Sequence, residues 1–154
     1  MKEWRGIVLA NVNNNQEIAM YKPDPVLVLR LLSVMRIIFG FLMLQHGTAK
    51  LLGFPHDPRF DSLQVMSLIG VAGILELVGG ALLMVGLFTR VTAFVLSGEM
   101  AFAYFMGHAS KGFVLSPMLN QGEAAVLYCF GLLYLAAAGG GPWSLDAKLR
   151  PAAA

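Results

Sequence analysis

The chain has 154 residues, of which 57% are hydrophobic and 13% charged, and its formal net charge is +2 at pH 7. This composition leaves too little polar surface to cover a water-soluble globule, so it indicates that a lipid bilayer is part of the chain's solvent. The Lys and Arg residues are spread along the chain without a basic cluster, and nucleic acid is therefore not expected as a partner.

Residues 1–25 are predicted to form a soluble N-terminal leader. A short apolar patch at 7–10 is followed by an asparagine-rich run at 11–15. This run interrupts the patch before the apolar core of a signal peptide can form. The segment is therefore expected to be a soluble leader that precedes the membrane domain, and not a signal peptide.

The first transmembrane helix is predicted over about residues 26–47 or a little beyond. About 20 apolar residues precede His46, and at about 1.5 Å per residue they match a hydrocarbon core about 30 Å thick. Arg36 lies ten residues before His46, which places it near the expected midplane of the bilayer. An unpaired cation at that depth costs several kcal/mol, so Arg36 is expected to pair with a carboxylate.

The second helix is predicted over residues 63–87, after a charged loop that contains two prolines. Gly73, Glu76 and Gly80 recur at helical spacing and form a narrow face of small residues around one acid. Small residues allow another helix to approach closely. Glu76 is therefore the predicted partner of Arg36.

The third helix, predicted over residues 91–106, carries a second acid, Glu99, near its middle. Because this helix enters the membrane from the side opposite to the second helix, Glu99 reaches a depth similar to that of Glu76. The sequence thus predicts that Arg36, Glu76 and Glu99 share one layer inside the membrane.

The remaining segments complete a bundle. Residues 107–122 mix polar and apolar residues and are predicted to fold over the mouth of the bundle as a lid. A fourth helix is predicted over 123–138. The expected fold class is all-α, an integral membrane four-helix transmembrane bundle over residues 26–142, followed by a cytoplasmic tail at 143–154.

The distribution of positive charge predicts the orientation of this bundle. Four spans place both termini on one side, with six cations there and three on the other side. Because cytoplasmic loops carry an excess of Lys and Arg, both termini are expected in the cytoplasm and the chain in the cytoplasmic (inner) membrane. The six are Lys2, Arg5, Lys22, Arg90, Lys148 and Arg150, and the three are Lys50, Arg59 and Lys111.

Several motifs in this order resemble the DoxX family of small membrane proteins, which have four transmembrane helices. The resemblance covers about residues 26–142. It rests on Arg36, His46-Gly47, Lys50 and Gly53-Phe54 around helix 1, on Glu76-Leu77-Val78-Gly79-Gly80 and Gly86-Leu87-Phe88-Thr89-Arg90 around helix 2, and on Glu123 at the start of helix 4.

The resemblance implies a quinone-linked redox role, since the family takes its name from the membrane part of a thiosulfate:quinone oxidoreductase. Relatives are linked to sulfur and thiol metabolism. The sequence has no flavin, nicotinamide or iron–sulfur motif, so electrons would come from a separate soluble or membrane oxidoreductase partner. A related thiol:quinone reductase type needs cysteine pairs, whereas this chain has the single Cys129. A second copy of the chain, in a homo-oligomer, is another possible partner.

The predicted catalytic residues are Arg36, Glu76 and Glu99. As a functional layer, two acids around one arginine would leave one acid free to hold or release a proton at a quinone head group. As a structural layer, one guanidinium would bind both carboxylates and fix the register of the helices. Both interpretations remain open on the sequence alone.

A second group of polar residues is predicted to line the outer mouth. In the functional interpretation they form a polar pocket, in which His and Glu exchange protons and Lys attracts an anion. In the alternative they are an ordinary charged fringe at helix ends. The group comprises His46, Lys50, His108 and Glu123, with Tyr104 among the aromatic residues that would wall the pocket. No metal is predicted, because no HxxxH or ExxH spacing joins these ligands.

The predicted function is that of a membrane subunit of a quinone-dependent oxidoreductase. The alternative class is a non-enzymatic membrane module, either an assembly scaffold or a small-solute carrier, in which the charges serve helix packing.

Overall fold

A computed structural model describes residues 24–149, and this part of the chain is α-helical without a β-strand. Most of the predicted leader at 1–25, and residues 150–154 of the predicted tail, lie outside the described residues. The helices are α1 (Pro25–Leu52), α2 (Leu68–Val85), α3 (Thr89–Ala103), α4 (Glu123–Ala138) and the short α5 (Leu145–Leu149).

Local sequence signals determine where α1 and α2 begin and end. Asp24 accepts a hydrogen bond from the Val26 N–H at 2.9 Å, and Gly53 ends α1 with φ of 66°. Ser67 accepts from the Gly70 N–H at the start of α2, and Gly86 ends that helix with φ of 72°. Glycine adopts this left-handed conformation at little cost.

Several predicted helix boundaries differ from the observed ones, the largest differences being at the end of helix 1 and the start of helix 2. Helix 1, predicted to end at 47 or a little beyond, continues to Leu52, because Gly53 is the terminating glycine. Helix 2 begins at Leu68 and not at 63, because residues 57–66 form a short 3₁₀ helix (Pro58–Phe60) and turns. The predicted bounds of helix 4 agree with those of α4.

The third helix is longer than its regular α-helical part. It continues from Ala103 directly into a π-helical turn (Tyr104–His108) and then a 3₁₀ turn (Ala109–Lys111). The residues predicted as a lid are anchored by Asn120, which is buried. Its side chain donates to Tyr104 Oη at 3.0 Å and accepts from the Gly122 N–H at 3.0 Å.

Glycines allow α1 and α2 to pack side by side in an antiparallel arrangement. A Cβ atom on Gly47 would lie 2.4 Å from Leu77 N, and one on Gly80 would lie 2.4 Å from Leu44 N. A Cβ on Gly40 would lie 2.7 Å from Met84 N. The two backbones thus approach too closely for any side chain at these three positions. This contact sets the register between the two helices.

The remaining helices complete the bundle. α3 packs mainly on α4, α2 also contacts α3, and α1 contacts α4. At the α2–α3 contact, Leu96 occupies the space beside Gly79. The apolar core contains Leu32, Met43, Leu83, Ala93, Leu96, Met100, Leu132 and Leu135.

Polar residues are buried and large apolar residues are exposed over much of the bundle. Arg36, Glu76, Thr89 and Ser97 are buried, whereas Leu31, Val78, Phe94 and Leu127 are examples of exposed residues on α1 to α4. α1 and α2 are long and apolar enough to cross a membrane. Only 28% and 33% of their most apolar windows are buried, which is unlike the core helix of a water-soluble protein.

The α1–α2 contact generates the first prediction. Gly47→Ala should lower the free energy of unfolding by about 1–3 kcal/mol, because the added methyl group meets the backbone of α2. SDS titration of the detergent-purified protein, followed by circular dichroism, measures the change. The matched control is Gly98→Ala, since a Cβ there has no neighbour within 4 Å. Equal stability of the two variants would contradict this packing.

Candidate functional site

Arg36 is completely buried and binds backbone carbonyl groups. Its Nη1 donates to the carbonyl oxygens of Leu83 and Met84, the latter at 2.7 Å. Its Nε donates to Gly140 O at 2.9 Å, and its Nη2 donates to Trp143 O at 2.8 Å. The predicted pairing of Arg36 with Glu76 is therefore wrong.

These contacts place Arg36 at the end of α2. The carbonyls of Leu83 and Met84 belong to the last turn of α2, where a helix lacks N–H donors for its carbonyl groups, and that of Leu83 also accepts from the N–H of the capping Gly86. A cation also interacts favourably with the negative end of the helix dipole. Arg36 thus holds three segments together: α1, the end of α2 and the 140–143 turn.

Two more charged residues bind helix ends beside it. Arg90 donates to the carbonyls of Ala136, Ala137 and Ala138 in the last turn of α4. The Asp146 carboxylate accepts the N–H groups of Phe88 and Thr89, each at 2.8 Å, at the start of α3. We refer to Arg36, Arg90 and Asp146 as the helix-end layer.

Glu76 pairs with a different cation. Lys50 Nζ lies 2.6 Å from Glu76 Oε1 and 2.5 Å from Oε2, and the two side chains are 13% and 3% exposed. The antiparallel register explains this partner. Gly47 lies opposite Leu77, so the turn of α1 that carries Lys50 faces Glu76, whereas Arg36 lies 14 residues earlier on α1, about 21 Å along the axis.

Glu99 lies next to this ion pair and has no partner of its own. Both carboxylate oxygens are buried, and within residues 24–149 neither has a hydrogen-bond partner. Glu99 interacts electrostatically with Glu76 and Lys50. A buried carboxylate without a donor is costly when it is charged, so such a group is stable only with a proton or with a donor from a ligand.

His46 adds an imidazole to the same end of the bundle. It lies one turn before Lys50 on α1, and its ring contacts Tyr128 edge-on with centroids 6.2 Å apart. His46 interacts electrostatically with Glu76 and Lys50. We refer to His46, Lys50, Glu76 and Glu99 as the acid–base cluster.

Two cavities open beside this cluster. One, of about 350 Å³, is lined by His46 together with His56 and Arg59. The other, of about 300 Å³, is lined by Lys50 and by Asp61. Asp57 lines both, and the hydrogen bonds from Arg59 lower the pKa of its carboxyl group to about 2.

The other three predicted binding residues have separate contacts. Tyr104 donates to Val114 O at 2.5 Å, and His108 Nδ1 lies 3.2 Å from Asn120 O. Glu123 is exposed at the first position of α4. No hydrogen bond or ring contact in residues 24–149 joins these three to His46 or Lys50. The predicted outer pocket is thus divided between the acid–base cluster and the anchor of the 107–122 segment.

Sequence reasoning missed Asn120 and Asp146. Neither belongs to a motif with a recognisable spacing, and each acquires its role through contacts with segments distant in the chain. Among residues 24–149, no three His, Cys, Asp or Glu side chains are grouped so that they could hold a metal ion.

The described fold is that of an all-α protein with two helices able to cross a membrane and a buried ion pair between them. Residues 31–109 match the model of the DoxX family. The chain belongs to the DoxX family, as the sequence motifs predicted. The matched region includes the whole acid–base cluster and Arg36, but not Asp146.

A relative supports this membership over a longer stretch. The chain is 44% identical over 119 residues to an uncharacterised protein of Haemophilus influenzae, and the match covers 76% of this chain and 89% of the relative. No solved structure matches the chain.

The contacts of Arg36 generate the second prediction. Arg36→Met should lower the free energy of unfolding by at least about 2 kcal/mol, because it removes a donor from four buried or partly buried carbonyl groups. The SDS unfolding midpoint measures the loss. Arg30→Met is the control, since Arg30 lies on the same helix and is exposed. If both variants unfold at the same SDS concentration, Arg36 does not hold the helix ends.

Proposed function

We propose that the chain is an integral membrane protein whose helices α1 to α4 each cross the bilayer. The support is the distribution of side chains: apolar residues are exposed on all four helices, and charged residues are buried between them. Helical backbone satisfies its own hydrogen bonds, which a membrane requires. α3 and its π-helical continuation together run for 20 residues, from Thr89 to His108, or about 30 Å.

In the proposed orientation both termini are cytoplasmic, and the protein lies in the cytoplasmic membrane. The loop between α1 and α2 and the acid–base cluster then lie toward the outer side. The helix-end layer lies toward the cytoplasm, as the positive-inside rule favours for Arg90 and Lys148.

The third prediction tests this topology. On a Cys129→Ala background, Asp61→Cys should react with a membrane-impermeant maleimide in intact spheroplasts. Lys148→Cys should react only after the membrane is permeabilised. Both positions lie in exposed or partly exposed segments, so access to the reagent depends on the side of the membrane. The opposite labelling pattern would invert the orientation, and equal labelling would contradict the odd number of spans between the two sites.

We propose further that the acid–base cluster binds the head group of a quinone and that the protein is a membrane subunit of a quinone-linked oxidoreductase. One observation carries the proposal: Glu99 has a buried carboxylate without a donor, beside a Lys50–Glu76 ion pair. The side chains of Lys50 and Glu99 fit a quinone head group. The ammonium of Lys50 can donate to a quinone carbonyl oxygen, and a carboxylate of Glu99 can accept from a hydroxyl group.

Each residue of the cluster has a distinct part in this proposal. When bound, a quinone supplies the capacity to take up two electrons and two protons. Glu99 holds or releases a proton at its carboxylate, Glu76 keeps the Lys50 ammonium in place, and His46 connects the cluster to the cavity at the mouth. Electrons are provided by a separate oxidoreductase partner.

A second candidate function is that of a non-enzymatic membrane scaffold. The observation in its favour is the helix-end layer, where Arg36 is fully buried and bound to four carbonyls. Such a network fixes helices in place and leaves no group free for chemistry. The helix-end layer lies at the other end of the bundle, however, and it does not explain why the buried Glu99 carboxylate lacks a hydrogen-bond partner.

The fourth prediction separates these functions. A short-chain ubiquinone should raise the unfolding temperature of the detergent-purified native protein. For the reduced form, ubiquinol, the apparent affinity should fall about tenfold or more in Glu99→Gln, because the carboxylate that accepts from the ligand's hydroxyl group is replaced by a weaker, uncharged amide acceptor. Basal stability should not fall, since the native carboxylate has no protein partner. Scanning fluorimetry over a range of ligand concentrations gives the apparent affinity, and the unfolding temperature without ligand gives the basal stability.

The control for this experiment is Glu123→Gln, which alters an exposed acid of the same type. It should bind the quinone like the native protein. Glu76→Gln serves as a second comparison, since it should lower basal stability by leaving Lys50 buried without a partner. Absence of any quinone-induced shift in the native protein would reject the redox proposal and favour the scaffold.

A further inference from the structure

The two helices that the 107–122 segment joins differ in length. α3 with its π-helical continuation runs for 20 residues from Thr89 to His108, or about 30 Å, whereas α4 has 16 residues and is about 24 Å long. Arg90, near the start of α3, binds the carbonyl groups in the last turn of α4, so these two ends lie at one level. At the other end, α4 therefore begins about 6 Å, or about one turn, short of the level at which the π-helical turn ends.

Contacts of Tyr104 give the same offset. Tyr104 is the first residue of the π-helical turn, and a Cβ atom on Gly122, the residue before α4, would lie 2.5 Å from Cε2 of the tyrosine ring. The Tyr104 hydroxyl donates to Val114 O and accepts from Asn120 Nδ2. The segment is therefore held beside the last turn of the third helix, at the level where α4 lacks a turn.

The exposed side chains of this segment are apolar. Between Lys111 and Glu123 the chain has no Asp, Glu, Lys, Arg or His. The α1–α2 loop at the same end of the bundle differs, since residues 53–66 include two aspartates and an arginine. Five large apolar side chains are exposed between Lys111 and Glu123, and we refer to them as the apolar patch. They are Phe113, Val114, Leu115, Met118 and Leu119.

Many backbone groups beside the apolar patch have partners inside the protein. The turns at 113–122 contain four backbone hydrogen bonds of 2.9–3.2 Å. The carbonyls of Phe113 and Val114 also accept from the side chains of Asn120 and Tyr104. Backbone that is removed from water needs such internal partners. The segment can therefore leave water with few backbone groups unsatisfied.

We propose that the apolar patch lies in lipid, at the boundary between the head groups and the acyl chains of the outer leaflet, and that it anchors the α3–α4 connection in the bilayer. The patch continues the exposed apolar surface of the neighbouring helices, at Phe105 on the π-helical turn and at Leu127 on α4. Lys111 and Glu123 flank it, and long charged side chains at such positions reach the head groups. The proposal rests on the membrane location proposed above but not on the quinone role of the acid–base cluster.

Lipid fits the apolar patch better than a protein partner does. A protein interface carries about one hydrogen bond per 100–200 Å² and has a polar rim. The five side chains of the patch have no polar atoms, and much of the adjacent backbone is already bound. The level of the patch, beside the last turn of the third helix and not beyond it, also brings it next to the acyl chains that surround that helix.

A fluorescent probe at Leu115 tests the proposal in proteoliposomes of the full chain. Leu115 is the most exposed residue of the patch, at 78%. On the Cys129→Ala background, Leu115→Cys is labelled with an environment-sensitive maleimide dye. Phospholipids that carry a nitroxide near the head-group end of the acyl chain should quench this dye. Aqueous iodide should quench it several times less efficiently than the same dye in Asp61→Cys, because an ion is excluded from an apolar layer.

Phe130→Cys, at an exposed position on α4, is the lipid-facing reference. Iodide quenching at Leu115 as strong as at Asp61, with Phe130 still quenched by lipid, would overturn the proposal and leave the membrane location intact. If neither quencher reaches Leu115, a protein partner or a second copy covers the patch and the lipid assignment is wrong. Absence of lipid quenching at Phe130 would refute the membrane location itself.

Discussion

The bundle depends on a single constraint, namely that charged and backbone polar groups removed from water need partners within the protein. Each helix end leaves carbonyl or N–H groups that the helix itself cannot bind. In this chain, side chains from distant segments bind them: Arg36 at the end of α2, Arg90 at the end of α4 and Asp146 at the start of α3. The same contacts therefore give the charged side chain a partner and give the backbone groups at the helix end their hydrogen bonds.

The glycines of the α1–α2 contact determine which charges meet. Gly47 lies against Leu77 and Gly80 against Leu44, which fixes α1 and α2 in one antiparallel register. In that register Lys50 faces Glu76, and Arg36 faces the last turn of α2. Sliding of α1 along α2 would change these pairs, and the close backbone approach at the glycines opposes it.

The sequence was sufficient for the helical architecture of the described part and for the family. Proline, serine and glycine at the helix ends carry local information, and long apolar runs indicate the membrane. The partner of Arg36 was not predictable in the same way. The distance from Arg36 to His46 predicts a position near the midplane only if helix 1 ends close to Gly47. Because α1 continues to Leu52, Arg36 lies nearer one end of the bundle and Lys50, treated as a residue of the mouth, reaches Glu76.

The candidate site was predictable in its residue types but not in its grouping. Glu76 and Glu99 were expected at similar depth because their helices run in opposite directions, and the contact of Leu96 with Gly79 places them on neighbouring turns. Asp146 and Asn120 could not be identified, since their roles depend on contacts between segments and not on local pattern. His108 and Tyr104 were grouped with His46 because all lie near helix ends, but the fold directs them to the 107–122 segment.

Buried side-chain atoms without a hydrogen-bond partner are not spread evenly over the helices that the structure describes. In residues 24–149 the buried side-chain atoms without partners are Thr89 Oγ1 and the two carboxylate oxygens of Glu99, and all belong to α3. The buried charges of α1 and α2, in contrast, are bound to carbonyl groups or to each other. A helix whose groups are fully bound within the protein contributes rigidity, whereas a buried group left without a partner is stable only if something else supplies one. In residues 24–149 the groups that lack a partner thus lie on α3, Thr89 at its first residue and Glu99 ten residues, or about 15 Å, further along the helix.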